Sequence, residues 1–264
     1  MPTVLYEDDV HRCVVFSDLV RGDDGVQANQ FLIQHGTQSA LLDPGGALLY
    51  TPLSLAMTRY VQPTALTYVI ASHQDPDIIG AVDRWLMYTQ AIVVCSKLWG
   101  RFVPHSVPHY QKNTGRDRYL LLDDEGGIIP LGEQGLVAVP AHFLHSVGNF
   151  GFYDPVSRIL FSGDIGSSLV PSGEAYAPVQ DFRAHVHRMD GFHRRYMASH
   201  RACALWADMV RRIDPVLVVP QHGLPLQGQA IVEFLDWIAA LRCGVDLLGP
   251  ADYVLPTRRL PAPA

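Results

Sequence analysis

Three side chains able to hold a metal alternate along five residues: His73, Asp75 and Asp77. In an extended segment alternate residues project the same way, so one imidazole and two carboxylates would face a single pocket. That donor set suits a hard or borderline ion such as zinc, manganese or iron. The residues before it, Thr67-Tyr68-Val69-Ile70-Ala71-Ser72, form a short apolar run rich in β-branched and aromatic side chains, which reads as a buried strand. A loop with an Asp-Pro turn and a helix-capping Asp would explain the same residues without a metal. Three further apolar runs end in a similar way. Val137-Ala138-Val139-Pro140 leads into Ala141-His142-Phe143-Leu144-His145-Ser146, Ile159-Leu160-Phe161 into Ser162-Gly163-Asp164, and Val216-Leu217-Val218-Val219 into His222. Each alone is a weak signal. Four together are strong, because strand ends on one side of packed sheets lie close to one another.

The elements that must position these residues follow from hydrophobic period. Cys13–Phe16, Gln30–Gln34 and Ser39–Leu42 read as antiparallel strands of a first sheet, with turn chemistry at Arg21–Gly25 and Asp43-Pro44-Gly45-Gly46. Helical spacing covers Leu53 to Val61 and then Ile79 to Tyr88, the latter with Ile79, Val82, Trp85 and Leu86 as its buried stripe. The second helix is expected to begin just after Asp77, turning its positive end toward the pocket. Ala91–Cys95 is a buried strand and Lys97–Phe102 a short helix. His105 and His109 fall in a Pro-rich loop and read as surface residues.

Tyr119–Leu122 opens a second run of strands that continues through Gly127–Leu131, Leu136–Val139, Phe150–Tyr153 and Ile159–Phe161. Helices return at Phe182–Arg195, Arg201–Ile213 and Ile231–Leu241. The middle one carries an apolar stripe of Ala202, Leu205, Trp206, Met209 and Ile213. Two similar halves, each strands followed by β/α units, fit two sheets packed face to face with helices outside, an αββα sandwich. Residues 1–255 are expected to be one domain and 256–264 a frayed tail. Ser167 to Gln180 reads either as a lid over the pocket or as an ordinary connection.

Bulk properties exclude several classes. Of 264 residues, 48% are hydrophobic and 17% charged, the balance of an ordinary globular chain. A net charge of −6 argues against nucleic-acid and anionic-membrane partners. No run of about 18 apolar residues marks a membrane span, and the first residues lack the pattern of a secretory signal. A cytoplasmic location is expected. The four cysteines contain no C-x-x-C pair, which removes a rubredoxin-like or zinc-ribbon appendage and any disulfide framework.

The order His73-x-Asp75-x-Asp77, His145, Asp164, His222 resembles the metallo-β-lactamase fold, and more closely the diiron domain of flavodiiron proteins. Their motif is H-x-E-x-D, then a His in a Leu-His-Ser/Trp segment, then Asp, then His. The phrases His142-Phe143-Leu144-His145-Ser146-Val147-Gly148-Asn149-Phe150 and Phe161-Ser162-Gly163-Asp164 are its most specific part. They resemble the stand-alone oxygen-binding diiron proteins that lack the flavodoxin domain. The resemblance spans nearly the whole chain. It implies two non-haem irons per chain, with His73, Asp75 and His145 on one, Asp77 and His222 on the other, and Asp164 bridging. His142 competes with His145; the separation to Asp164 favours His145, with His142 behind it.

Two positions depart from the flavodiiron pattern. Asp75 stands for the usual Glu, one methylene shorter, and Ile78 stands where many members have His, which would dry the ligand site. A dizinc hydrolase of this fold has His at both positions. The resemblance therefore implies binding or sensing of O₂ (or NO), with slow O₂ or peroxide reduction, and no FMN on this chain. A diiron O₂/NO reductase fed by a separate flavoprotein or rubredoxin is the second reading. A zinc-dependent lactonase or thioesterase, using a metal-bound hydroxide, is the third. A homodimer and a signalling partner are further expectations.

Overall fold

The computed structural model describes residues 2–20, 25–108 and 115–260. His109, positions 21–24 of the expected turn and positions 261–264 of the expected tail lie outside the described residues; positions 254–260 are exposed coil.

The first sheet follows chain order: β1 (Thr3–Glu7), β2 (His11–Phe16), β3 (Gln30–His35), β4 (Gln38–Leu42), β5 (Tyr68–Ile70), β6 (Ile92–Ser96) and β7 (Tyr119–Leu122). β1 to β4 pair antiparallel, and β4 to β7 pair parallel. The second sheet has β8 (Gly127–Ile129), β9 (Leu136–Pro140), β10 (Phe150–Asp154), β11 (Ile159–Gly163), β12 (Leu217–Pro220) and β13 (Leu226–Gln227), in the spatial order 13-12-11-10-9-8. Only β11 and β12 run parallel in it.

Three apolar layers result. Phe31, Ile70, Val94, Phe152 and Phe161 fill the space between the sheets. α1 (Tyr50–Met57), α2 (Pro76–Ile79) and α3 (Val82–Tyr88) cover the outer face of the first sheet around the buried Trp85. α4 (Phe182–His185), α5 (Asp190–Tyr196), α6 (His200–Ile213) and α7 (Gln229–Ala240) cover the second around Phe234. This is the αββα sandwich expected from the sequence. Removing a side chain such as Trp85, which is fully buried, costs about 3–5 kcal/mol.

Local differences have physical reasons. Tyr119–Leu122, expected to open the second run of strands, forms the edge of the first sheet, where parallel pairing to β6 continues the β/α pattern. The 79–88 helix is split, and its start lies earlier, at Pro76. The backbone around Gly80 comes so close to the Pro76 carbonyl that a β-carbon would sit 2.3 Å from it, and α3 restarts at Val82. Residues 97–102 form turns instead of a helix, with Gly100 pressed against Leu121. The 182–195 helix divides into α4, a 3₁₀ turn and α5. On α6 the buried stripe is Cys203, Trp206, Ala207 and Val210, one position away from the expected one, and Leu205 is exposed. Ser199 caps α6 by accepting from the Ala202 amide. No helix is long and apolar enough to cross a membrane among the described residues.

Candidate metal centre

The four strand ends named by the sequence do converge. His73 follows β5, His145 lies in the turn between β9 and β10, Asp164 directly follows β11, and His222 lies two residues beyond β12. Parallel pairing of β11 with β12, in the register Gly163 to Pro220, brings the last two side by side. Asp75 is the N-cap residue of α2 and Asp77 lies in its first turn. This one-turn helix therefore carries two of the carboxylates.

Asp164 stands at the centre. Its Oδ2 lies 3.0 Å from His145 Nε2 and 3.8 Å from His73 Nε2. Its Oδ1 lies 3.7 Å from His222 Nε2. Asp75 Oδ2 completes the first side, 3.5 Å from His145 and 3.7 Å from His73. Asp77 Oδ2 completes the second, 3.3 Å from His222. The six residues thus fall into two groups of donors that share one carboxylate. Donor atoms of His73, Asp75 and His145 all lie within 4.8 Å of one another, the spacing of ligands around one ion.

Two of the three imidazoles are held from behind. His73 Nδ1 meets Ser72 Oγ at 3.0 Å, and His222 Nδ1 donates to the Gln27 carbonyl at 2.7 Å. Both rings are thereby aimed with Nε2 inward, as second-sphere partners do for metal ligands. Asn29 donates to the carbonyls of Pro220 and Gly223, fixing the loop that carries His222. Gly223 itself has φ +89° and lies so close to Ser168 that a β-carbon would overlap its hydroxyl, so only glycine fits there. The Gly166 amide donates to the buried His193 Nε2, pinning the turn after Asp164. The Ser72 amide donates to Asp43 Oδ1 at 2.8 Å. In the sequence Asp43 and Ser72 read as turn and strand residues; the signal that marks Asp43 is that β4, like β11, is followed directly by a carboxylate.

The electrostatics are those of a cation site. Burial would raise the Asp164 carboxyl, but the His145 hydrogen bond and the three imidazoles outweigh it and hold it at about 2. Burial would lower His222, but Asp77 and Asp164 outweigh that and push it up to about 9. Burial pushes Asp43 up to about 6, with the Ser72 amide opposing. His73 Nε2 and Asp164 Oδ1 are buried without a hydrogen-bond partner. Such atoms are costly unless something fills the space between them. Three carboxylates and three imidazoles would nearly neutralise two divalent ions, so the residues fit a pair of metals.

The cluster opens on a cavity of about 260 Å³. Phe192 and Tyr196, stacked at 4.8 Å, place their rings against His145. Ser167, Ser168 and Leu169 form another wall, held by Arg188, whose guanidinium bonds both Glu174 oxygens and whose carbonyl accepts from the Leu169 amide. Of the 167–180 segment, only these first three residues line the cavity.

Two expectations need correction. His142 turns away, its Nε2 on the Asp124 carbonyl at 2.7 Å and its ring on Phe150, so it does not back His145. Ile78 is buried in the outer layer of the first sheet and does not line the cavity. His185 is buried away from the centre, and His187 bonds to the Ala184 carbonyl at the surface.

Residues 26–223 match the family profile described as ODP family beta lactamase. The peroxy diiron species of the chemotaxis sensor ODP is 36% identical, with TM-score 0.82 over 93% of this chain and 97% of that one. The apo state of chemotaxis sensor ODP from T. denticola is 35% identical, with TM-score 0.83 over 94% and 97%. A metal-soaked flavodiiron core from Synechocystis shares the fold at 14% identity, TM-score 0.72, over 90% of this chain and 61% of that one. An uncharacterized protein of Methanocaldococcus jannaschii is 23% identical over 216 residues, 81% of this chain. The chain spans about half (53%) of the length of that curated relative.

Proposed function

The chain belongs to the ODP family of β-lactamase-fold proteins, and on that premise we propose that it is a non-haem diiron protein that binds or senses dioxygen. One observation carries the reading: the two oxygens of Asp164 face two different His/Asp groups, and buried donor atoms in each direction lack partners. His73, Asp75 and His145 would hold one iron, Asp77 and His222 the other, with Asp164 shared. Held there in the ferrous state, the pair would supply two electrons to a diatomic ligand.

The chain's own residues do the rest. Ser72 and the Gln27 carbonyl hold the rings of His73 and His222 in their ligating orientation. Phe192 and Tyr196 exclude bulk water over His145 and leave room for a small ligand. In this reading sustained turnover draws electrons from a separate flavoprotein or rubredoxin, and a homodimer is the working unit. The four buried cysteines, none of them in a disulfide, accord with a reducing cytoplasm. A carboxylate at Asp75, where a dizinc hydrolase has His, favours iron over zinc.

The test is elemental analysis of anaerobically purified protein, with optical spectra before and after admitting air. Two irons per chain and a new charge-transfer band in air are expected. Zinc in the same positions, with an unchanged spectrum after growth in iron-rich medium, would move the reading to a hydrolase acting on esters and lactones.

A further inference from the structure

A second cluster of metal-binding side chains closes the opposite edge of the seam between the sheets. β3 begins beside the His222 loop, where the Asn29 amide donates to the Gln221 carbonyl, and it ends at His35, paired with His11 of β2. At that far end His11 and Cys13, two apart on one face of β2, meet Asp154 at the end of β10. His11 Nε2 lies 2.8 Å from Asp154 Oδ2, and Cys13 Sγ lies 3.5 Å from each of them. Ser157 Oγ is 3.6 Å from Cys13 Sγ and donates to Asp154. All four residues are at least nine-tenths buried.

We propose that this cluster is a zinc site, independent of the diiron centre, with His11 Nε2, Cys13 Sγ and Asp154 Oδ2 as ligands and Ser157 Oγ on the fourth side. A tetrahedral zinc with bonds of about 2.3 Å to sulfur and about 2.0–2.1 Å to nitrogen and oxygen has S···N and S···O edges of about 3.5 Å and an N···O edge of about 3.3 Å. Two of the three edges already have that length. To admit the ion, the carboxylate oxygen withdraws by about 0.5 Å from His11 and further from Ser157, whose hydrogen bond to it gives way.

Charge favours the same occupant. One thiolate and one carboxylate neutralise a divalent zinc, so the site is buried without net charge. Without a cation, burial and the neighbouring Asp154 carboxylate push the Cys13 thiol well above its ordinary range. When zinc binds, the thiol proton and the His11 Nε2 proton that faces Asp154 are both given up, and sulfur and nitrogen take their places on the metal. The imidazole keeps one ring proton, on Nδ1, which faces His35 Nδ1 at 3.2 Å. That is the backing a ligating histidine requires. Cys95 shows the contrast: it is buried in the apolar outer layer of the first sheet, where burial pushes its thiol up to about 12. The ion would tie β2 of one sheet to the β10–β11 hairpin of the other.

The probe is Co²⁺, titrated anaerobically into full-length protein stripped by a chelator. Cobalt bound to a thiolate gives a near-ultraviolet charge-transfer band, and the six-residue centre contains no sulfur. The band is expected in the wild type, erased by Zn²⁺, unchanged in Asp164→Asn and absent in Cys13→Ser. Asp154→Asn, nearly isosteric, is expected to weaken cobalt binding at least tenfold while near-ultraviolet circular dichroism keeps its native form. No band in the wild type under excess Co²⁺ overturns the proposal, and so does a band that survives Cys13→Ser or an unweakened Asp154→Asn. The wild-type titration decides even where a variant fails to fold.

Discussion

The two ends of the inter-sheet seam carry the same kinds of side chain put to different use. At one end, His73 Nε2 and Asp164 Oδ1 are buried without partners and the cluster opens on a cavity. At the other, His11, Cys13, Asp154 and Ser157 satisfy one another and are closed from solvent. One donor set is oxygen-rich and open, the other contains sulfur and is sealed. Open positions are what ligand chemistry needs, while closure is what a structural role needs. The difference teaches that the identity of ligand-type residues says little until their partners and their access are known.

The comparison breaks most directly at Asp164. Asp164→Ala removes the carboxylate that both groups share, and at least one iron per chain is expected to be lost, with affinity for the other down at least about tenfold. Elemental analysis after anaerobic loading checks it; two tightly held irons in the variant would show that the groups do not share this ligand.

At the closed end the expected effect is on stability. His11→Ala leaves the Asp154 carboxylate buried without its imidazole. A cost of about 3 kcal/mol, the low end for breaking a buried pair, is expected because the Ser157 amide still donates. Denaturant unfolding would measure it, and the air-induced spectrum of the diiron centre should be unaffected.

A third effect is smaller and depends on pH. In metal-free protein, His222 is raised to about 9, so the stability it contributes is complete below its ordinary value of 6.5 and is lost as pH rises through about 9. Asp164, lowered to about 2, contributes stability above its ordinary 3.8 that is lost as pH falls through about 2. Metal must displace the His222 proton, so the gain in Tm on loading is expected to grow from pH 7 to pH 9. A gain that shrinks over that range would detach His222 from the metal.

The smallest effect is expected at His142. His142→Ala gives up a hydrogen bond to the Asp124 carbonyl, worth about 1 kcal/mol, and should leave metal content unchanged. Loss of iron there would return His142 to the centre.

The open end was legible in the sequence because its residues sit where apolar runs stop, and each run can be read locally. The sandwich was legible for the same reason, from alternating periods along the chain. The placement of β7 was not, because an edge strand of either sheet has the same pattern. Nor was the shifted stripe of α6, where Leu205 and Cys203 compete for the buried face and packing decides. The closed cluster was invisible: His11 and Cys13 meet Asp154 more than 140 residues away, across two sheets, and no spacing rule spans that gap.

The one-turn helix α2 has a further consequence. Asp75 and Asp77 serve different sides of the centre, yet Pro76 with its fixed backbone angle is all that separates them. The span between the two sides is therefore written into covalent geometry and does not depend on how well distant layers pack. It acts as a ruler: loosening the core would dull the protein's other dimensions long before it stretched this one, and inserting a single residue at position 76 would recalibrate it at once.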